Sequence, residues 1–459
     1  MRRFNNMLIA VALCFVLSSC GLYTKYSRPE GVENSVEKLY RGVAAEAADS
    51  VANFGTKPWQ EVFTDPALQR LIDSALVRNT DVRVAQLRVG EAEAALKAAR
   101  LAYIPSFAFT PNGAAASFGF SKEQWSYSVP ITASWQLDIF GRLTAAKRRA
   151  KAAVEGSEAY SRAVRSQVVG AMANMYYMLL MLDAQLSIAE QTSESWGKNV
   201  ETMRLMKEAG MSNEASVRQM EANYYAICTM VHDLREQVFL LENFISIMLA
   251  DVPQRIERTT LAEQSLPTEV YTGVPLHLLS QRPDVQIAEQ NLVQAFYATN
   301  EARASLYPSI TLSGSGGWTN AVGAAIVNPA SLLWSVAASL FQPIFQNGAL
   351  RARLKIAKLQ QQEAELQFRQ TLLNAGNEVN TAIEQCQTSR TKHTLYEQQV
   401  ESLAAAVEST QLMMEHGSST YLEVLVAQQT LLNAQLSLTE NRFKELQGMV
   451  NLYVALGGK

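Results

Sequence analysis

Residues Trp125–Leu137 read WSYSVPITASWQL. Trp125, Tyr127, Val129, Ile131, Ala133, Trp135 and Leu137 are apolar, and Ser126, Ser128, Thr132, Ser134 and Gln136 stand between them. Successive side chains leave an extended chain on opposite sides, so this period of two residues predicts a strand with one apolar and one polar face. Pro130 lacks an amide proton and marks an edge or a bulge. Phe107–Phe120 is the candidate partner, and Ser309–Thr319 and Leu332–Phe341 repeat the pattern less cleanly. Aromatics gather in these segments, among them Phe107, Phe109, Phe118, Phe120, Trp318 and Trp334. Alternating strands of about ten residues with aromatic flanks are the pattern of a membrane β-barrel. A soluble β-sandwich insert is the alternative.

The strand regions come in two because the chain is duplicated. Asp81, Val82, Ala85, Ala92, Ala95, Ala99, Arg100, Pro105 and Ser106 recur as Asp284, Val285, Ala288, Ala295, Ala298, Ala302, Arg303, Pro308 and Ser309, a constant shift of 203 residues. Those are 9 identities over the 29 positions of Asn79–Phe107. Val200, Glu201, Leu205, Met206, Glu208, Gly210, Ser212 and Val217 recur as Val407, Glu408, Leu412, Met413, Glu415, Gly417, Ser419 and Val424, now shifted by 207. A period of about 200 residues is far longer than a solenoid unit. The four extra residues fall in the second strand region, where they lengthen an external loop.

Around the strands the pattern is helical. No proline occurs between Pro130 and Pro253 or after Pro343. Leu432, Leu436, Thr439, Phe443, Leu446, Val450 and Tyr453 step alternately by four and three. Ala171, Met175, Met178 and Leu182 do the same. This is the seam of coiled-coil packing. Each stretch is interrupted once, at Gly210 and at Gly417, where a left-handed glycine ends a helix without a Cβ penalty. Ser212, and Ser419 or Thr420, are candidate caps of the returning helix. Gly141 to Ala209 spans 69 residues, roughly 100 Å at 1.5 Å per residue. A globular core has no use for such a helix, which reaches across something.

The charge balance, 40 Lys+Arg against 43 Asp+Glu, argues against a nucleic-acid partner, which calls for a basic surplus on one face. At the N-terminus, Arg2 and Arg3 precede the apolar stretch Met7–Leu17, and Leu17-Ser18-Ser19-Cys20 follows. This is a secretory signal. Its ending resembles a bacterial lipobox, with lipid on Cys20, and Gly21 after the cysteine favours outer-membrane sorting; an ordinary signal peptide with a chance cysteine is the alternative. Cys228 and Cys386 are isolated and read as small buried hydrophobes. The four histidines, His232, His277, His393 and His416, have no metal spacing; His416 beside Gly417 suits a helix C-terminus. No catalytic constellation, metal site or cofactor is expected beyond the lipid. Met203, Met206, Met211, Met413 and Met414 gather near the turns, either as adaptable packing or as a soft-metal path.

Two copies supply four strands. In a bilayer every unpaired edge group costs several kcal/mol, so a membrane sheet closes. Closed membrane barrels begin at about eight strands, and one chain cannot close. Identical copies close by cyclic symmetry: a dimer gives eight strands and a trimer twelve.

Several motifs resemble the TolC-like outer-membrane efflux factors, specifically their NodT-type lipoprotein branch. Trp59…Phe63-Thr64-Asp65-Pro66…Leu71-Ile72…Asn79 is similar to the family's opening. Leu278-Leu279-Ser280-Gln281-Arg282-Pro283-Asp284-Val285 is similar to the opening of its second copy. Asp138-Ile139-Phe140-Gly141-Arg142 and Pro343-Ile344-Phe345…Gly348 resemble its strand-to-helix junctions, and Gly417–Leu425 its last tip. The resemblance covers about Trp59–Gly457. It implies a mostly α fold with a small membrane β part: a homotrimer forming a 12-stranded barrel continued by a coiled-coil tunnel. It implies a passive outer-membrane channel of a Gram-negative bacterium, with a long periplasmic portion. The implied partners are a periplasmic membrane-fusion adaptor, an inner-membrane RND-type transporter and outer-membrane lipid, and the cargo is drugs or other small toxic compounds. A type I protein-secretion duct, a metal-ion efflux duct and a lipid-anchored scaffold without a pore are the alternatives.

The resemblance orders the chain as a signal peptide (1–19), a lipid-anchored segment (20–58), a first copy (59–250, strands over about 106–138), a connecting equatorial segment (251–277) and a second copy (278–459, strands over about 309–343). Leu205, Gly210, Ser212, Leu412, Gly417 and Ser419 fall on the adaptor-docking tips. The family narrows its tip with acidic rings. Glu423 stands at the first acidic position, and Val426 at the second, where a hydrophobic constriction replaces a charge. Ser216 occupies the place of Glu423 in the first copy, which leaves one acidic ring per trimer. A solvated carboxylate near a helix N-terminus is the other reading of Glu423.

Overall fold

The computed structural model describes residues 24–29, 57–117, 119, 123–265, 282–319 and 332–458. The signal peptide, the lipidation at Cys20, Leu278–Gln281 and the loop between the second pair of strands lie outside them.

The first copy contains α1 (Trp59–Val62), α2 (Pro66–Arg78), α3 (Thr80–Leu101), β1 (Ser106–Phe109), β2 (Asn112–Ala116), β3 (Gln124–Leu137), α4 (Arg142–Glu208) and α5 (Glu214–Met248). The second contains α6 (Pro283–Ala304), β4 (Ser309–Thr319), β5 (Leu332–Phe341), α7 (Ala349–Glu415) and α8 (Tyr421–Ala455). Equivalent helices have equal lengths: 22 residues in α3 and α6, 67 in α4 and α7, 35 in α5 and α8. The 203-residue shift holds up to α6 and the 207-residue shift from α7 onward. The four extra residues therefore lie between Ala304 and Ala349, in the strand region. No helix among the described residues is long and apolar enough to cross a membrane.

One antiparallel sheet joins the copies in the order β1-β3-β4-β5, with β2 also on β3. β3 and β4 pair from Ser128↔Thr319 to Leu137↔Ile310, and β4 pairs with β5 from Ser309↔Phe341 to Trp318↔Leu332. β1 and β2 are two pieces of one line along β3. The described residues thus form five strands where four were expected, and proline is the reason. Pro130 sits inside the sheet, neither at an edge nor in a bulge. The line beside it breaks at Thr110-Pro111, and the Thr110 amide donates to the Pro130 carbonyl at 3.2 Å. On the other side Pro130 faces Gly317, where any Cβ would lie 2.3 Å from the Val129 carbonyl oxygen. A central proline is tolerated because both neighbours give way to it.

The first strand-to-helix junction combines a local cap with a contact to the second copy. Asp138 accepts from the Leu143 and Thr144 amides at 2.8 Å, satisfying two of the free donors that open α4. Phe140 stacks on Tyr307 with centroids 5.2 Å apart.

The seam read in α8 holds: Leu432, Leu446, Val450 and Tyr453 are buried, with Leu436 and Phe443 half-buried. The seam read in the middle of α4 holds in part: Leu182 is buried and Ala171 and Met175 are half-buried, but the buried stripe is wider than the seam and leaves out Met178. Met172, Tyr176, Leu179 and Leu180 are buried while Met178 is exposed. Several elements pack on α4 there, and the Tyr176 hydroxyl must reach the Asp65 carboxylate at 2.8 Å. A two-helix period cannot anticipate that demand. Asp65 also accepts from the Ala67 amide at 2.7 Å, from Gln264 at 2.8 Å and from the Thr259 hydroxyl. Burial pushes its carboxyl up, but these donors outweigh burial and hold it below the ordinary Asp value.

The compact units do not follow the duplication. Among the described residues, one contains 24–29, 87–159 and 286–370, and the other contains 57–86, 160–285 and 371–458. Each takes equivalent parts of both copies, so neither copy has a core of its own.

Candidate pore face and helical tips

The strand register sorts the sheet into two faces. Phe107, Phe109, Ile131, Trp135, Leu312, Trp318, Trp334, Val336 and Leu340 share one. Trp125 is 72% exposed, Trp334 74% and Val336 75%. An apolar patch of this extent needs a non-aqueous neighbour. The opposite face carries Ser106, Ser126, Ser128, Thr132, Ser134, Gln136, Thr311, Ser313, Ser315, Thr319, Ser335 and Ser339, with Leu333 and Phe341 toward its ends. Its hydroxyls bond across strands: Ser106 to the Ser134 carbonyl at 3.1 Å, Thr132 to the Ala108 carbonyl at 3.2 Å, Ser315 with Ser335 at 2.8 Å.

The two tips are Schellman turns of the same form. Gly210 has φ 74° and Gly417 φ 71°. The Gly210 amide reaches the Lys207 carbonyl at 3.0 Å and the Met211 amide the Met206 carbonyl at 2.8 Å. Gly417 and Ser418 repeat those bonds on Met414 and Met413 at 3.0 and 2.8 Å. The left-handed conformation explains both glycines.

The returning helices are capped differently from each other, and the cap read at Ser212 is corrected. Asn213 caps α5, accepting from the Ser216 amide at 2.9 Å, whereas the Ser212 hydroxyl lies 3.0 Å from the Met203 sulfur. Position decides it: Asn213 stands at the N-cap itself, where a side-chain oxygen meets the third amide, and Ser212 stands one residue too early. On α8 the N-cap is Thr420, whose amide donates to Glu423 at 3.3 Å; the Ser419 hydroxyl donates to the same carboxylate. Glu423 thus supplies the carboxylate half of a capping box. It is exposed, as are Leu422 and Val426 on the same stretch of helix. Leu205, Met211, Leu412 and Met413 are exposed around the turns. His416 contacts the Leu412 carbonyl through Nδ1 at 2.7 Å, which requires that nitrogen to carry the proton.

The tips differ in charge. The first carries a network: Arg204 to Glu221 at 2.7 Å, Arg218 to Glu221 at 2.9 Å and to Glu214 at 2.7 Å, and Lys207 to Glu214. The Arg204 guanidinium holds the Glu221 carboxyl below its ordinary range. Behind the tips, Val200, Met220 and Leu425 form a core with Tyr224 and Tyr421, so the first hairpin packs on α8 of the second copy. The Tyr421 hydroxyl points at the Met220 sulfur. Sequence reading missed this contact and the Asp65 network; spacing carries no signal for contacts some 200 residues apart.

A model of the outer membrane efflux protein family matches residues 71–238 and 274–458. The chain belongs to that family. Among its relatives is the cation efflux system protein CusC of Escherichia coli K12, 26% identical over 98% of this chain and 99% of the relative. The toluene efflux pump outer membrane protein TtgI of Pseudomonas putida is 27% identical over 96% of each. A crystal structure of CusC superimposes with TM-score 0.82 over 96% of this chain and all of that one, at 26% identity. The outer-membrane channel OprN superimposes with TM-score 0.84 at 24% identity, a likeness of fold. This efflux protein is accordingly an outer-membrane channel, mostly helical with a small sheet. The sheet with one lipid-suited and one hydroxyl face is the part built for the membrane.

Proposed function

We propose that three copies close the sheet into a 12-stranded barrel and that the long helices of the three chains form the helical wall of the same duct. The carrying observation is the sheet itself. It has a wide apolar face, a hydroxyl face, and two edges, at β1 with β2 and at β5, that no strand among the described residues covers. Open edges in lipid cost several kcal/mol per unpaired group, and further copies offer the matching edges. Phe239, Phe244 and Ile247 on α5, all more than half exposed, support contact with another copy. Lipid on Cys20 anchors the chain beside the barrel. The duct is passive: an inner-membrane transporter supplies energy, and a periplasmic adaptor docks on the Gly210 and Gly417 tips. Relatives are named for cation and for toluene efflux, which supports a duct that leaves cargo choice to the transporter; small toxic compounds are the cargo class proposed here.

Mass measurement of the detergent-extracted protein, followed by planar-bilayer recording of the same fraction, tests this reading. Three chains per particle and a stepwise conductance are expected. A particle of three chains with no conductance would favour a scaffold, and a conducting dimer would overturn the trimer.

A further inference from the structure

The five strands contain no Asp, Glu, Lys, Arg or His. Charged residues are 18% of the chain, so a stretch of this length at ordinary composition holds several. On the apolar face their exclusion is expected, since a charge facing lipid at mid-depth costs about 2–4 kcal/mol. On the hydroxyl face that reason is missing: a water-filled pore tolerates charges. Serine and threonine fill it instead, and several spend their hydroxyl hydrogen on a neighbouring strand. Thr319 donates to the Tyr127 carbonyl at 3.1 Å and Ser126 to the Ala114 carbonyl at 3.3 Å. Side chains held in this way present small, partly cancelled dipoles and no fixed charge. The first helical tip, dense with arginine and glutamate, shows that the chain places charges freely elsewhere.

We propose that the strand section is a charge-blind exit, admitting cationic, anionic and neutral small solutes by size alone, so that discrimination by charge lies outside the barrel. The inference rests on the hydroxyl face lining the pore. A wall bearing charge would enrich one sign of solute and repel the other within about 10 Å at 0.1 M salt. A wall without charge imposes no such bias, and a duct so built serves transporters with differently charged cargoes.

Thiol reactivity reads the local field. In a background carrying Cys228→Ala and Cys386→Ala, Ser313→Cys places a thiol on the hydroxyl face and Val336→Cys places one on the apolar face. Conducting channels are exposed to methanethiosulfonates bearing one positive or one negative charge. At Ser313→Cys both reagents should react, with a rate ratio within about two-fold of that for a small free thiol, while Val336→Cys stays inert. A ratio displaced by about ten-fold or more in either direction is the signature of a charged wall and would overturn the proposal. Failure of both reagents at Ser313→Cys in a conducting channel would instead overturn the assignment of this face to the pore. Ser315→Cys provides an independent position should the first variant assemble poorly.

Discussion

Asn79 and Arg282 do the same work in the two copies. Asn79 donates from Nδ2 to the Met248 carbonyl at 2.9 Å, at the end of α5. Arg282, 203 residues further on, donates from Nη1 to the Ala455 carbonyl at 2.6 Å, at the end of α8. Met248 and Ala455 are themselves equivalent, shifted by 207. Each copy thus ties the start of its strand-bound helix to the last turn of its returning helix. The first copy uses a neutral amide, which also caps α3 through the Asp81 amide at 2.9 Å. The second uses a guanidinium that in addition reaches Asp284 at 2.8 Å and Glu378 at 2.6 Å.

Arg282→Ala should therefore cost about 2–4 kcal/mol, since several charge-assisted bonds of a nearly buried group are lost together. Arg282→Lys should recover only part of it, because an ammonium cannot fork between a carbonyl and two carboxylates. Asn79→Ala should cost about 1 kcal/mol as a lost cap, plus its bond to Met248. Thermal melting of the detergent-solubilised protein ranks the three, and equal melting of both Arg282 variants would reject the forked-donor account.

The turns after α5 and α8 make an internal comparison. Gly457 has φ 95°, while its equivalent Ala250 adopts φ 51°. A side chain in the left-handed region costs roughly 1–2 kcal/mol, and glycine adds about 0.5–1 kcal/mol of unfolded-state entropy. Ala250→Gly should stabilise by somewhat under about 1 kcal/mol and Gly457→Ala should destabilise by about 1 kcal/mol. Opposite signs in urea midpoints are the expected outcome; a loss in both variants would show that the turn tolerates alanine.

Asp65 makes stability depend on acid. Burial raises its carboxyl, yet the bonds from Thr259, Tyr176, Gln264 and the Ala67 amide bring it below the ordinary value of 3.8. The unfolded chain then binds a proton more readily than the folded one. The contribution is present at neutral pH and lost as pH falls from 3.8 through the lower folded value. Asp65→Asn should melt lower than wild type near neutrality, because an amide nitrogen would face hydroxyl and amide donors. The gap between the two should narrow in acid. Melting curves that stay parallel across that range would remove Asp65 from the acid response.

Glu423 serves the cap whatever else it does, and two substitutions separate cap from charge. Glutamine can still accept from the Thr420 amide, but it has no charge. Glu423→Ala should lose about 1 kcal/mol of local stability, read as faster hydrogen exchange in the first turn of α8, with Glu423→Gln close to wild type. If Glu423 also forms an acidic constriction, both variants should lose cation preference in planar bilayers. Unchanged ion selectivity in Glu423→Gln leaves the residue a cap alone.

The sequence by itself determined what is local or periodic. Alternation in Trp125–Leu137 specified a two-faced strand, because side-chain direction in an extended chain depends only on position. The duplication specified equal helices in both copies, and Gly210 and Gly417 specified the turns, since a left-handed residue is a local demand. Tertiary structure decided what depends on a distant partner. Pro130 sits mid-sheet because Thr110-Pro111 and Gly317 yield to it. The buried stripe of α4 widens beyond its seam where Tyr176 reaches Asp65, 111 residues away. The two copies interleave so that neither has its own core, for a helix buries its stripe against whatever surface is available. Sequence spacing does not encode that surface when it lies 200 residues away.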